Sequence, residues 1–425
     1  MEARQTDTKP MRQFVLHAQP YLPGRVKGPV RIGKAHARRD AIVVLDQAAL
    51  TDFDGPCSAL AVIDGLPFSH ALIRVQGTAI PTVIVTAEQA AQLPADRELV
   101  LDGQRGMIFD PQQLAQYPAL RIQSPALFTP PRTRDGEPVL LRASVSDRNG
   151  VRRSLSSGAS AIGLLRMEYL GVNSRRPPEA DFFANELGTC CSEAEPLPLI
   201  ARLPDFDAVK QPEWFKALPL SIKAAEHRGA ARYRQEPFQT LLKDICAAVN
   251  RCSEFYDLRL MLPYIDSEAA FVELRDRILP QLSDLVAIGA MLETVQAVQK
   301  VSAFLDLADF VAIGTNDLLA DLFHCDRERD AIDPYHPAIY QLLQQVAEQA
   351  GNQTREIQLN GQLARMPGVL PVLIGLGYRI FSVDPLLIPY LGETVQKTHT
   401  DAAAALAAQV CGMSSAQEIQ QRLLN

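Results

Sequence analysis

The sequence predicts an α/β protein in which a small β-rich domain is followed by a (β/α)8 barrel. Two patterns predict this fold class. In the first 115 residues, short apolar runs are separated by turn residues, and from residue 137 onward buried-strand runs alternate with longer amphipathic stretches. A chain of 425 residues with 47% hydrophobic residues is long enough for two or three domains.

The first domain is predicted over residues 1–115. Its candidate strands are apolar runs bounded by turn residues, at 41–45, 60–63, 82–85, 99–101 and 106–109. One helix is expected among them, over residues 71–76. Residues 116–136 contain four prolines and an Asp-Gly pair, and they are predicted to form a semi-rigid linker.

Residues 137–425 are predicted to form the barrel, because repeated β–α alternation indicates a parallel sheet and the length suits eight units. The candidate strands are the apolar runs at 139–143, 161–165, 197–201, 258–263, 285–292, 310–313, 357–359 and 379–383. A run near 228–233 is weakly marked as a strand, so closure of the barrel is a hypothesis. Helical spacing is clear over 238–249 and 339–350.

Composition and charge exclude several classes of protein. The formal net charge of −7 argues against a broad surface for nucleic acid or an anionic membrane. No apolar run approaches the roughly 18–20 residues that cross a bilayer, and residues 1–13 are polar, unlike a secretory signal. Seven cysteines without a CxxC pair indicate reduced thiols. We therefore expect a cytoplasmic protein without a nucleic-acid or membrane partner.

Polar side chains follow several of the candidate barrel strands. The strand ends of a (β/α)8 barrel meet at one face, where active sites form. Guanidinium groups bind phosphate and carboxylate oxygens in pairs, and two carboxylates can hold Mg²⁺ together with water and substrate. The polar residues at these ends are Arg166, Glu168, Arg202, Glu293, Asn316 and Asp317.

The same residue types are also typical of helix caps and of ion pairs at a barrel rim, so both interpretations stay open. In the first domain, His70 follows Ser69 at the start of the predicted helix. Backbone N–H groups at a helix start favour an anion and would stabilise a phosphorylated imidazole. A capped helix with a partly buried histidine is the alternative.

Motifs in both domains resemble those of the phosphoenolpyruvate-utilising enzymes, a family that includes phosphoenolpyruvate synthase, pyruvate phosphate dikinase and enzyme I of the sugar phosphotransferase system. Residues 62–71 (VIDGLPFSHA) are similar to the family's Gly-Gly-x-Thr-Ser-His-Ala phosphohistidine motif. Residues 162–170 (IGLLRMEYL) are similar to its barrel motif Gly-Leu-x-Arg-x-Glu-Phe, and residues 309–318 (DFVAIGTNDL) give the most specific match. The runs at 202–206 and 228–233 are most similar to the synthase branch.

The resemblance implies a swivelling phosphohistidine domain joined to a barrel that binds phosphoenolpyruvate. His70 would then accept and donate the phosphoryl group, and Glu293 and Asp317 would be ligands of a Mg²⁺ cofactor. Arg166 and Arg228 would take part in catalysis. The residues that would bind the substrate are Arg166, Arg202, Arg228, Asn316 and Arg327.

One departure from the family concerns the N-terminal side. The segment before the first domain is too short for the nucleotide-binding domain of the synthases or the carrier-binding domain of enzyme I. We therefore expect a chain without an ATP-binding domain, whose partner is a separate ATP-binding subunit or a phosphocarrier protein, or has been lost. The resemblance also suggests a homodimer formed through the barrel.

A second departure lies at the catalytic position of the last motif. The family has a cysteine before Gly-Gln or Gly-Glu, which moves a proton at the methyl carbon of pyruvate, and this chain has Asn360. An amide does not titrate, so Asn360 cannot take that role. Cys325, near Arg327 in sequence, is a candidate substitute.

Two hypotheses follow from the missing acid. The first is a phosphotransferase subunit that moves a phosphoryl group between His70 and a small enol or hydroxyl compound, with phosphoenolpyruvate or pyruvate still possible. The second is a catalytically altered paralogue that binds such a ligand and regulates a partner. The presence of His70, the arginines and both metal carboxylates favours the enzyme.

Overall fold

The computed structural model describes residues 13–120, 129–170, 175–206, 213–218 and 229–424. The chain divides into two compact units, Met1–Arg121 and Ile122–Asn425. The division lies within the segment 116–136, although the domain boundaries given above stay predictions. None of the helices in the described residues is both long and apolar enough to span a membrane.

The first unit is built on an eight-stranded sheet. Four strands in its middle, β3 to β6, run parallel, and the remaining pairs are antiparallel, in the order β1-β8-β7-β3-β4-β5-β6-β2. The strands are β1 Val15–His17, β2 Gln19–Leu22, β3 Arg25–Ile32, β4 Ile42–Asp46, β5 Ala59–Ile63, β6 Thr82–Val85, β7 Glu98–Asp102 and β8 Met107–Phe109.

Three α-helices in the described part of this unit connect the strands: α1 (Gln47–Thr51), α2 (His70–Thr78) and α3 (Ala87–Ala91). Each begins after a residue whose side chain accepts a backbone N–H, namely Asp46, Ser69 and Thr86. The expectation of a single helix is therefore wrong, because α1 and α3 have five residues each, which is too short to show helical periodicity.

The second unit contains a closed barrel of eight parallel strands, each paired with its neighbours in chain order. The strands are β9 Leu140–Val145, β10 Ile162–Arg166, β11 Leu199–Arg202, β12 Leu258–Ile265, β13 Ile288–Leu292, β14 Phe310–Gly314, β15 Gln358–Asn360 and β16 Ile380–Val383. The predicted fold class, a small β-rich domain followed by a (β/α)8 barrel, is confirmed.

The weakly marked run near 228–233 is not a barrel strand. Gly229–Arg234 forms a 3-10 helix, and residue 228 lies outside the described residues. Gly229 has a φ of +56°, which strand backbone does not adopt, and its Cα approaches the carbonyl groups of Pro263 and Tyr264 too closely for a side chain.

The α-helices of the second unit within the described residues cover the outside of the barrel. They are α4 Arg148–Ser157, α5 Ala180–Ala194, α6 Phe238–Ser253, α7 Glu268–Ile278, α8 Val295–Val298, α9 Val301–Leu307, α10 Thr315–Phe323, α11 Pro337–Ala350, α12 Val369–Gly375, α13 Ile388–Lys397, α14 Thr400–Cys411 and α15 Ala416–Leu424. The expected helices over 238–249 and 339–350 correspond to α6 and α11.

The interior of the barrel has an apolar half and a polar half. Strands β10 to β14 supply a buried apolar cluster of Leu164, Ile200, Met261, Met291 and Ala312. Strands β9, β15 and β16 supply hydrogen-bonding side chains, among them Arg142, Ser144, Gln358, Asn360 and Ser382. Strands of both halves end at the mouth of the barrel, where the candidate site lies.

Candidate active site at the mouth of the barrel

Arg166 and Arg202 end the neighbouring strands β10 and β11 and are paired in the register of these strands. Arg202 is buried and Arg166 is partly buried. Burial lowers the pKa of Arg166, and the positive charge of Arg202 lowers it further. The barrel thus holds two guanidinium groups close together, where a bound anion would offset their repulsion.

Carboxylates surround Arg202. Its Nη2 donates a hydrogen bond to Glu168 Oε1, and its Nη1 lies 3.9 Å from Glu293 Oε1. Burial opposes the charged form of this guanidinium, but Glu168, Glu293 and Asp205 outweigh burial and raise the pKa of Arg202. Arg202 therefore stays charged inside the barrel mouth.

Glu293 follows β13 and reaches toward the neighbouring strands. Its Oε2 accepts the backbone N–H of Tyr264, at 3.1 Å, and its carboxylate packs over Gly314 at the end of β14. A Cβ atom on Gly314 would lie 2.3 Å from Glu293 Oε1, so glycine is needed here for the carboxylate to keep its position. The carboxylate is 3.9 Å from Arg202, which places it in the same cluster.

The first turn of α10 carries two predicted site residues, Asn316 and Asp317, and a third, Arg327, contacts this turn. Asn316 Oδ1 accepts the backbone N–H of Gln362 at 2.9 Å, which ties α10 to the segment after β15. Asp317 Oδ2 lies 3.4 Å from Arg327 Nη2, and the Arg327 side chain is buried. The structure thus brings Asn316, Asp317 and Arg327 to the end of β14.

Two carboxylates follow successive barrel strands: Glu293 comes directly after β13, and Asp317 lies in the first turn of α10, after β14. In the described part of the chain, no group of three or more His, Cys, Asp or Glu side chains is close enough to hold a metal ion. Hard oxygen ligands suit Mg²⁺, which keeps several waters and is held by one or two carboxylates plus substrate oxygens. The donor atoms of Glu293 and Asp317 are therefore of the kind that Mg²⁺ prefers.

Arg228, predicted to bind the substrate, lies outside the described residues. Cys325 follows α10 and is partly exposed. Burial, together with Asp330 and Asp326, raises the pKa of its thiol. A role for Cys325 in place of the family cysteine stays a prediction.

Asp384 is a site residue that the sequence analysis missed. It follows β16 at the same face as the other strand ends, and its Oδ1 accepts the backbone N–H of Leu386 at 2.9 Å. Burial raises the pKa of its carboxyl to about 6, although Leu386, Arg153, Arg365 and Arg166 oppose the rise. A polar residue directly after an apolar strand was the available signal, the same one that found Glu293.

In the first unit, His70 is the first residue of α2 and is buried. The Ser69 hydroxyl accepts the backbone N–H of Leu72 at 3.4 Å and caps the helix. This arrangement agrees with the predicted position of His70 at a helix start. It leaves the phosphohistidine role a prediction, because a capped helix with a buried histidine has the same geometry.

Comparison with known proteins gives the class of this chain. Residues 125–400 match the family model described as "PEP-utilising enzyme, PEP-binding domain". The match covers more than half of the chain, and the chain belongs to this family.

Relatives of known name are similar over most of the chain. A phosphoenolpyruvate-protein phosphotransferase of Geobacillus stearothermophilus is 26% identical over 379 residues, which is 83% of this chain and 65% of that protein. The protein of the same name from Cupriavidus necator is 27% identical over 459 aligned residues, 96% of this chain and 75% of that protein. Multiphosphoryl transfer protein 1 of Escherichia coli is 25% identical over 379 residues, 83% of this chain and 45% of that protein.

The chain thus spans less than two thirds of the length of the first of these relatives. The names of all three describe phosphoryl transfer proteins, and none of the three is named as a synthase, whereas the sequence motifs are most similar to the synthase branch. Among solved structures, a citrate synthase variant superposes on 64% of this chain and 94% of that chain, with a TM-score of 0.36 and 12% identity. A likeness this weak bears on neither fold nor function.

Proposed function

We propose that this chain is a phosphotransferase that moves a phosphoryl group between His70 and phosphoenolpyruvate, or a related small enol or hydroxyl compound, at the mouth of the barrel. One observation carries the proposal: Arg166 and Arg202 are paired at neighbouring strand ends, among carboxylates, in a barrel of the phosphoenolpyruvate-binding family. The names of the relatives support the same chemistry.

The arginines would bind the phosphate and the carboxylate of the ligand. Arg166 supports this role because burial and the charge of Arg202 disfavour its protonated form. Bound oxygens would accept its hydrogen bonds and restore the balance of charge. Arg202, Asn316 and Arg327 complete the predicted binding set, and Arg228 belongs to it by resemblance alone.

Mg²⁺ is the cofactor that we propose, with Glu293 and Asp317 as its protein ligands. When bound, it would neutralise charge on the transferring phosphoryl group and on the leaving oxygen. The two side chains supply hard oxygen atoms after consecutive barrel strands, and Glu293 is held in place by the Tyr264 N–H and by the space over Gly314.

In the transfer step, a ring nitrogen of His70 attacks the phosphorus atom of the bound ligand. The bond between phosphorus and the enol oxygen breaks, the oxygen keeps the electron pair, and the phosphoryl group is left on the imidazole. The position of His70 at the start of α2 supports a charged phosphohistidine, because the helix start favours an anion. The reverse step returns the group to the oxygen.

The fate of the enolate separates a pyruvate-forming enzyme from other transferases. Conversion of the enolate to pyruvate needs a proton at its methylene carbon, and the Asn360 amide has no acidic proton to give. A ligand whose oxygen simply gains and loses the phosphoryl group needs no such acid. We therefore include enol and hydroxyl compounds beside phosphoenolpyruvate among the candidate substrates.

A partner would load or unload His70. The relatives are named for transfer to a protein and for transfer of several phosphoryl groups, which supports a phosphocarrier protein, and a separate ATP-binding subunit is the other candidate. A homodimer through the barrel is part of the same proposal.

The test is the intact mass of the protein at alkaline pH after incubation with phosphoenolpyruvate and Mg²⁺. We expect an acid-labile phosphate on the wild-type chain and on His36→Ala, whose exposed histidine lies in the same unit, but not on His70→Ala or Arg202→Lys. A phosphate that persists in His70→Ala would overturn the role of His70. Absence of any adduct, with the ligand still bound, would favour the regulatory paralogue.

A further inference from the structure

We propose that Asn360 is an oriented hydrogen-bond donor that selects barrel ligands carrying an oxygen atom, rather than a methyl or methylene group, next to their central carbon. This inference rests on the proposed function, since it concerns the ligand of the same site. It assigns Asn360 a binding role that needs no titrating group.

A chain of hydrogen bonds inside the barrel fixes which way the amide groups point. Arg142 Nη1 donates to Gln358 Oε1 at 2.8 Å. A guanidinium can only donate, so the oxygen of the Gln358 amide must face Arg142. Gln358 Nε2 then donates twice, to the carbonyl oxygen of Gly163 at 2.9 Å and to Asn360 Oδ1 at 2.6 Å.

This order leaves only one orientation for the amide of Asn360. Because Gln358 donates to it, Asn360 uses its oxygen toward Gln358 and turns its NH2 group away. Asn360 is 4% exposed, and within the described residues its Nδ2 is buried without a hydrogen-bond partner. A buried donor without an acceptor is unfavourable, so a bound ligand is the expected acceptor.

The strand geometry places this donor in the interior, toward the mouth of the barrel. Gln358 on β15 reaches β9 and β10, which are not neighbours of β15, so its side chain crosses the barrel interior. Asn360 lies two residues further along β15 and therefore faces the same side, one layer closer to the strand ends. Those ends carry the two arginines and Glu293.

Two glycines make room for this arrangement. A Cβ atom at Gly163 would lie 2.7 Å from Arg142 Cβ and from Ser382 Oγ, and 3.0 Å from Gln358 Oε1. A Cβ atom at Gly361, which has a φ of +113°, would lie 2.5 Å from Thr315 Oγ1. Side chains at either position would displace the groups that hold Gln358 and Asn360.

Three small acids with one skeleton test the inference. Pyruvate, oxamate and oxalate share a carboxylate and an adjacent carbonyl, and they carry a methyl group, an NH2 group and an oxygen at the third position. A donor at that position favours oxalate, cannot pair with the methyl group of pyruvate, and opposes the NH2 group of oxamate. We expect the wild-type chain to bind oxalate most tightly, pyruvate less tightly and oxamate most weakly.

The measurement is the dissociation constant of each acid by calorimetry at fixed free Mg²⁺. The ratios of these dissociation constants are compared between variants. Oxalate also binds Mg²⁺ in solution, and this effect is the same for every variant, so it cancels in the comparison. Asn360→Leu should weaken the binding of oxalate by about tenfold or more. The binding of pyruvate should be unchanged or tighter. Asn360→Asp should reverse the order of oxalate and oxamate, because its carboxylate accepts.

Gln358→Glu tests the orientation itself. The new carboxylate still accepts from Arg142 but no longer donates to Asn360, so the Asn360 amide turns over and presents its oxygen. Preference should then move from oxalate toward oxamate although Asn360 is unchanged. The matched control is Ser144→Ala, which removes a polar interior group that hydrogen-bonds Ser382 rather than Gln358. It should keep the wild-type ratios.

The inference would be overturned if Asn360→Leu kept the wild-type ratio of the dissociation constants of oxalate and pyruvate, or lost affinity for all three acids equally. Failure of the wild-type chain to bind any of the three acids would also overturn it. Phosphorylation of His70 by phosphoenolpyruvate is followed in the same samples. Phosphorylation without the oxalate preference refutes the role of Asn360 alone. The preference without phosphorylation refutes the proposed transfer alone.

Discussion

Arg202 and Glu168 form an ion pair at the mouth of the barrel in which the side chains are only 6% and 0% exposed. The pair joins the ends of strands β10 and β11, and Glu293 adds a second carboxylate at 3.9 Å. Buried charges are tolerated in proteins when each has a partner of opposite charge. The cluster therefore keeps a permanent cation at the place where we propose an anionic ligand binds.

Replacing Glu168 by glutamine should destabilise the protein. Glu168→Gln keeps the shape of the side chain but removes its charge, and loss of one partner from a buried ion pair costs roughly 3–5 kcal/mol. Urea denaturation measures the change in free energy of unfolding. The control is Glu273→Gln, whose ion pairs with Arg234 and Arg277 are exposed and contribute less than about 1 kcal/mol. Equal effects of the two substitutions would contradict the prediction.

Adding a methyl group at Gly314 should move the Glu293 carboxylate. Gly314→Ala places a Cβ atom 2.3 Å from Glu293 Oε1, so we expect weaker Mg²⁺ binding and a loss of about 1–3 kcal/mol of stability. Gly188→Ala is the control, because the nearest atom to its new Cβ is Cys252 Sγ at 3.9 Å. In the interior of α5 this change should stabilise the protein by up to about 1 kcal/mol. Thermal melts and Mg²⁺ titrations of both variants decide the point.

The proposed metal site makes Asp317 necessary for cation binding. Asp317→Asn should weaken the affinity for Mn²⁺, used as a spectroscopic probe for Mg²⁺, by about tenfold or more in the presence of phosphoenolpyruvate. Asp306→Asn, an exposed carboxylate on α9, should leave it unchanged. Electron paramagnetic resonance of free Mn²⁺ gives both constants, and equal affinities in the two variants would rule out Asp317 as a ligand.

The raised pKa of Asp384 predicts a particular pH dependence of stability. Between about pH 4 and about pH 6 the folded chain holds a proton on Asp384 that the unfolded chain has lost. The contribution of this group to the free energy of unfolding therefore falls as pH rises through that range and is constant above it. The total fall is about 3 kcal/mol.

Asp384→Asn removes this dependence and keeps an oxygen that can accept the Leu386 N–H. The difference in unfolding free energy between variant and wild type should grow in favour of the variant from pH 4 to pH 6. Urea denaturation at each pH measures it. A difference that does not change with pH would show that the carboxyl titrates normally.

The sequence predicted the barrel well because most of its strands are apolar runs of a few residues, separated by segments with helical spacing such as α6 and α11. It predicted the sheet of the first unit less well, since β1, β2 and β3 are partly exposed and contain charged residues and prolines, such as Arg25, Lys27 and Pro29. At the site, residues at the end of a strand or directly after it were found, as with Arg166 and Glu293. Arg142 and Gln358 were missed, because neither lies at the carboxyl end of its strand and only the closed barrel shows that they meet.

The division of the barrel interior into an apolar and a polar half has a consequence for how the sequence can vary. A residue such as Leu164 or Met291 can be exchanged alone for another of similar volume with little loss of stability. Arg142, Gly163 and Gln358 depend on one another, since a change in one leaves a buried group without its partner or without room. These three positions are expected to change together in evolution or not at all, and with them the atom that residue 360 presents to a ligand.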